Sequence, residues 1–395
     1  MIRPKLVVGA VALAIFLDTL IYGIVIPILP GYSESLGASS FVLGVIFAAY
    51  SASLLVGTIP LGILSDRYGR KRVMFFGLAA ISLSTLGFAL AKSIVWLIIT
   101  RLLQGFAAGA IWTACPALIA DLYPPEQRGS KMGLMSAASG FGFLVGPAAG
   151  GLLYEAGGYH LPFLICIILA ILAVIFVAVV IPGDSNPVKM PKSSRPLLEV
   201  LRIRGVWQGS TMVLIGSVGF GFIDPLLPGY FADKFAASPG VIGLLFGVIS
   251  LFHVSSAPVI GKLSDHMGRV RLIKIGLVTT ALVVPLITLA ANAVTSAITM
   301  GLMGITFGLM LTPTMPLLAD SVMPRRGSSD DSSYGVAFGI YNGAFSLGYL
   351  IGPLIGGAWV EFYDLPSLFV AYSIVLLLTG LVTFRHKPYE HKHAT

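Results

Sequence analysis

Long apolar runs separated by short polar segments organise this chain. Stretches of about 20 residues, enough to carry an α-helix across ~30 Å of hydrocarbon, lie at 7–29, 41–63, 73–91, 94–119, 131–153 and 161–182. A second set follows at 207–229, 240–261, 273–291, 295–319, 335–358 and 366–384. The pattern predicts an all-α membrane protein with twelve transmembrane helices. The two sets of six also repeat each other. Gly44-Val-Ile-Phe-Ala-Ala-Tyr50 and Gly62-Ile-Leu-Ser-Asp-Arg-Tyr-Gly-Arg70 return 199 positions later as Gly243-Leu-Leu-Phe-Gly-Val-Ile249 and Gly261-Lys-Leu-Ser-Asp-His-Met-Gly-Arg269. Pro27-Ile-Leu-Pro-Gly-Tyr32 returns as Pro225-Leu-Leu-Pro-Gly-Tyr230. A half-chain period in an apolar sequence points to two pseudo-symmetric six-helix bundles.

Composition agrees with the pattern. With 56% hydrophobic residues, 11% charged and a mean hydropathy of +0.92, the chain cannot make a soluble core under a polar surface. Its 46 glycines suit membrane helices, which approach closely through small residues. Of 25 lysines and arginines, all but Lys92, Lys234 and Arg101 fall on one side if both termini are cytoplasmic, which sets the orientation by the positive-inside rule. The net charge of +8 follows from that asymmetry facing anionic headgroups, so nucleic-acid binding is not called for. The stretch from Gly183 to Gly205, rich in Pro, Ser, Lys and Arg, reads as a cytoplasmic hinge. It divides the chain into a bundle at 1–182, a linker at 183–205 and a bundle at 206–395. The first span is too long for a secretory leader and lacks a small-x-small cleavage site, so it reads as a retained helix.

Other chemistries find little support. Cys115 and Cys166 lie inside spans without paired spacing and read as inert buried thiols. There is no phosphate-binding Gly-Lys-Ser/Thr loop, no His-Glu-x-x-His helix and no nucleophile elbow, so neither an enzyme nor a metal or cofactor site is expected. A receptor or scaffold would need a long soluble domain or interaction tail. Energy has to come from a gradient.

The Gly62–Arg72 segment and its copy at Gly261–Arg271 resemble the loop signature of the major facilitator superfamily. Within it, the chain is similar to the twelve-helix drug:proton antiporters, bacterial multidrug exporters and vesicular amine transporters among them. The reading places Asp66 near a helix N-terminus, where it exchanges ion-pair partners with Arg70 as a conformational latch; Asp265 and Arg269 repeat the pair. Asp121 and Asp320, matched across the repeat, read as gate or loop contacts. In the fifth span, Gly133, Gly142, Gly146-Pro147 and Gly150-Gly151 look like the antiporter signature of that family. Glycines at this spacing clear one helix face, and Pro147 bends it. The device recurs at Gly339, Gly348, Gly352-Pro353 and Gly356-Gly357, with extra residues fitting an insertion around Arg326–Ser332.

Ionisable residues inside spans are costly enough to be site candidates by default. Asp18 lies midway along the first span, where one carboxylate can host a proton or a cation in turn; competition for one site couples opposite fluxes. The alternative is a carboxylate fixed in helix packing. The vesicular amine transporters resemble the chain here, with an Asp at the same distance before Pro-x-x-Pro. Arg101 opens Arg101-Leu-Leu-Gln104-Gly105, which looks like the helix 4 signature of proton-coupled members. It holds its charge, so it either tunes a neighbouring acid or braces backbone carbonyls. Asp224 reads as a second proton or cation acceptor, or as an acid wetted near the interface. His253 reads as packing or a hydrogen bond. Tyr22, Tyr50, Trp112, Phe143, Phe220, Phe307, Tyr341, Asn342 and Phe345 are candidates to line a pocket for a flat or quaternary cation. Where the amine transporters have a helix 2 lysine, this chain has Phe47-Ala-Ala-Tyr50, and where they have acids in helices 10 and 11 it has Leu311 and Asn342.

The resemblance implies a multi-pass cell-membrane antiporter that exports lipophilic organic cations, drugs or amines against protons, by alternating access. One chain would form the path, so a monomer is expected. A carrier of a neutral metabolite or sugar, exporter or proton symporter, is the alternative.

Overall fold

The computed structural model describes residues 4–181, 197–322 and 332–384. Among these, twelve helices are long and apolar enough to span a membrane: α1 (Lys5–Val25), α2 (Ser40–Tyr68), α3 (Arg70–Ala89), α4 (Ile94–Leu122), α5 (Gln127–Gly157) and α6 (His160–Val180), then α7 (Arg204–Phe235), α8 (Pro239–Met267), α9 (Arg269–Leu289), α10 (Ala293–Val322), α11 (Gly339–Phe362) and α12 (Leu365–Phe384). No strand occurs among the described residues. Most of the expected linker, and nearly all of the expected insertion near Arg326–Ser332, lie outside them.

Prolines account for the main departures from the expected spans. The first helix ends at Val25 rather than near 29, and the chain turns before a short helix at Leu29–Ser35. Pro27 and Pro30 have no N–H to continue the ladder. Yet the matching Pro225 and Pro228 sit inside an unbroken helix, Arg204–Phe235. Pro285 opens a tighter turn, Val284–Leu289, that closes α9, and α10 breaks after Leu311 next to Pro313 before resuming at Thr314. The reversals are built from simpler parts. Gly69 (φ 100°) and Gly268 (φ 88°) turn the chain between α2 and α3 and between α8 and α9, a conformation that glycine adopts without strain. Ser39, Ser93, Ser238 and Asn292 cap the N-termini of α2, α4, α8 and α10 by accepting backbone amides.

Each half packs in the same way. α1 lies on α5, α2 on α4, and α3 on α4 and α6; in the second half α7 lies on α11, while α8 and α9 lie on α10. The spans α1 and α7 are the most buried of the twelve, at 78% and 72%. On α6, Leu164, Ile168, Leu172, Ile175 and Val179 face outward, an apolar surface suited to lipid.

The halves cross through α5 with α8 and α2 with α11. Their close backbone approaches lie toward the distal end, away from the termini: Gly151 meets Pro239, Gly243 meets Pro147, Gly357 meets Ser40 and Gly44 meets Pro353. Nearer the termini, a Cβ at Gly133 or Gly339 would find nothing within 4 Å. The backbones of the two halves therefore meet most closely toward the distal end.

Candidate functional site

Asp18 and Tyr22 are four residues apart on α1 and therefore share a face. Asp18 is 2% exposed. Its Oδ2 accepts the Trp112 indole N–H from α4 at 2.8 Å and, at the long distance of 3.5 Å, the Tyr50 hydroxyl from α2. Oδ1 has no hydrogen-bond partner among the described residues. One carboxylate oxygen is thus held by neutral donors from two other helices, while the second stays uncommitted. Such an arrangement can carry a proton or face a cation without breaking an existing ion pair.

Beside it, Tyr22 links the halves. Its hydroxyl donates to Asp224 Oδ2 of α7 at 3.1 Å, and its ring lies 5.1 Å from Tyr50, 5.8 Å from Phe143 and 6.2 Å from Tyr349. Asp224 is 5% exposed, so the expectation of a wetted interfacial acid gives way to a buried one covered by Tyr22. Arg101 of α4 is fully buried. The rings of Phe47, Phe88, Tyr22 and Tyr50 surround its guanidinium at 5.0, 5.3, 5.5 and 5.8 Å. Nη1 donates to Gln104 Oε1 at 2.9 Å; Nε and Nη2 have no partner among the described residues. A guanidinium tolerates such a place because it is weakly hydrated and stacks well on aromatic faces.

The other expected pocket residues divide. Phe345 packs against Tyr349 with the rings tilted at 4.8 Å and so joins the aromatic wall that reaches Tyr22. Phe220 and Phe307 pair at 4.4 Å within the second half, with His253 edge-on to Phe220 and its Nδ1 3.3 Å from the Gly304 carbonyl. Tyr341 instead packs with Val206, Leu318 and Ile340 in a separate small core, outside that wall. Asn342 is half-buried on α11. Phe47, Phe88 and Tyr349 were not anticipated; their only signal is position, Tyr349 one turn beyond Phe345.

The expected pair of the latch forms: Asp66, in the last turn of α2, lies close to the N-terminus of α3, which begins at Arg70. Arg70 bonds Asp66 and reaches Asp121 Oδ2 of α4 at 3.0 Å. In the second half Arg269 meets Asp320 at 2.8 Å and Asp265 only at 4.0 Å. Asp121 and Asp320 are therefore central partners, and each cluster lies within one half. The glycine signature also divides. Gly142, Gly146 and Gly150 receive the backbone of α1, Gly151 faces α8, and Gly133 faces open space. Gly348 and Gly352 receive the backbone of α7 in the same way, Gly356 meets the Phe222 and Leu226 side chains of α7, and Gly357 faces α2.

Comparison with known proteins agrees with this architecture. The Major Facilitator Superfamily profile matches residues 11–223 and 209–395. The MFS-type transporter SLC18B1 of Mus musculus is 27% identical over 91% of this chain and 81% of its own length. The synaptic vesicular amine transporter of Bos taurus is 28% identical, covering 91% and 69% respectively. The quinolone resistance protein NorA of Staphylococcus aureus (strain MSSA476) is 28% identical over 92% of both chains. Among solved structures, a bacterial homolog to the human lysosomal transporter Spinster, inward-facing and occupied, matches with a TM-score of 0.80 over 97% of this chain and 96% of its own, at 16% identity.

Proposed function

The chain belongs to the Major Facilitator Superfamily, a multi-pass membrane transporter and not an enzyme, and on that premise we propose that it is a proton-coupled antiporter exporting lipophilic organic cations, drugs or amines. Its relatives include an amine transporter and a quinolone resistance protein, which supports that substrate class. The observation that carries the reading is Asp18: a buried carboxylate with one oxygen tethered by Trp112 and Tyr50 and the other uncommitted, beside an aromatic wall. Proton and cation exclude one another there, so each crossing of the cation requires the return of a proton. Arg101 and Asp224 complete the coupling group, and the path runs between a bundle at 1–182 and one at 206–395. Both termini are cytoplasmic, in the cell membrane, and a single chain forms the path.

A second reading has one observation in its favour. Leu311 and Asn342 are uncharged where the amine transporters carry acids, which suits a neutral metabolite or sugar. Uptake of a dye cation into inverted vesicles under an imposed pH gradient separates the two. Gradient-driven uptake by the native chain, lost in Asp18→Asn, is expected. No cation flux from folded native protein would put the neutral-substrate carrier first.

A further inference from the structure

The repeat contains one more pair, at the distal ends of two helices. Gly150-Gly151-Leu-Leu-Tyr-Glu155 closes α5, and Gly356-Gly357-Ala-Trp-Val-Glu361 closes α11. In each, Gly151 or Gly357 stands four residues before the glutamate and so shares its helix face. Gly151 lies against the Pro239 carbonyl and Gly240 Cα, and Gly357 lies against the Ser40 carbonyl and Phe41 Cα. One turn on, Glu155 Oε1 accepts the Gly240 N–H at 2.8 Å, and Glu361 Oε2 accepts the Phe41 N–H at 3.0 Å.

Gly240 and Phe41 occupy the first turns of α8 and α2, where amides have no partner within the helix and the dipole favours a negative charge. Ser238 and Ser39 take the amides of Val241 and Val42. The glutamates supply what those caps leave open, and they do so from the opposite half. We propose that Glu155 and Glu361 are twin clasps of the distal gate: each half caps a helix of the other, and both caps must break when the distal ends part. Both glutamates are exposed, so water satisfies the carboxylates and amides once separated. That lets the clasps be strong enough to bias the gate and weak enough to release it. The inference concerns the gate and holds whatever substrate is carried.

The experiment places spin labels at Lys92 and Ala291, exposed positions in the distal turns of the two halves, in the full chain reconstituted in lipid. Cys115 and Cys166 are buried and stay unlabelled. Glu155→Ala with Glu361→Ala is expected to add a longer-distance population. Each lost cap should lower the closed-to-open ratio by roughly two- to thirtyfold, the two multiplying as separate sites do. Glu155→Gln with Glu361→Gln, which keeps a neutral acceptor, should give a smaller shift in the same direction, and it decides the matter if the alanine variant does not fold. Unchanged distance distributions in folded variants would overturn the proposal, as would a loss of thermal stability with no change in distance.

Discussion

Arg101 is the residue whose place most needs an explanation. Burying a charge without a counter-ion costs several kcal/mol unless something replaces its hydration. Four aromatic faces and Gln104 do so in part, each face contributing about 0.5–2 kcal/mol, while Nε and Nη2 stay unpartnered among the described residues. A group kept purely as a brace would be replaceable by a hydrophobe of similar shape, often with a gain in stability. Arg101→Met is therefore a discriminating variant. Its melting temperature is expected to equal or exceed the native value while gradient-driven uptake falls at least about tenfold, the effect expected of removing a charge that is proposed to act in coupling with Asp18 and Asp224. Uptake at the native rate would assign Arg101 to bracing alone. At this scale the sequence was informative about which residues to suspect, because an ionisable side chain inside a span stands out. It said nothing of their partners. Trp112 and Asp18 are 94 positions apart, and Tyr22 and Asp224 are 202 apart.

Along the helices, the glycine signature reads as one device in the sequence and as three in the fold. Position around the helix decides the difference, and spacing alone does not reveal what stands opposite. A Cβ at Gly146 would lie 2.7 Å from the Leu20 carbonyl oxygen and 3.0 Å from Gly23 Cα, both backbone atoms that cannot swing aside. Gly146→Ala should cost about 1–3 kcal/mol of overpacking, partly offset by the ~1 kcal/mol that alanine gains over glycine in a helix. Gly133→Ala meets no atom within 4 Å and should be neutral or slightly stabilising. Thermal unfolding in detergent compares them; equal melting points would remove the α1–α5 seam as a point of close packing. Proline was the other imperfectly legible signal. The same Pro-x-x-Pro ends α1 but lies within α7, because a proline determines only its own missing hydrogen bond and the surrounding packing decides whether the helix resumes.

For the whole molecule, the duplication was legible because both copies kept their glycines and charged turns. How the copies cross was not, since each contact between halves joins residues far apart in the chain, 320 positions for Phe41 and Glu361. The structure supplies the missing relation: α2 meets α11 and α5 meets α8, so the start of one helix in each half seats against the end of one in the other. That exchange makes the distal seal symmetric. In alternating access the halves rock about a site near mid-membrane, and a seal at one end must open before the site faces that side. Tethering it should therefore arrest transport without unfolding the chain. Phe41→Cys with Glu361→Cys puts two thiols at exposed positions whose residues already meet, the Phe41 amide donating to Glu361 at 3.0 Å. A short, cleavable thiol cross-linker is expected to join them, to abolish gradient-driven uptake and to release it on reduction. Gly133→Cys with Gly339→Cys, toward the proximal end where neither position has a neighbour within 4 Å among the described residues, should not be joined by the same reagent. Continued uptake by the tethered protein would mean that the distal seam is static and that access to the site changes elsewhere.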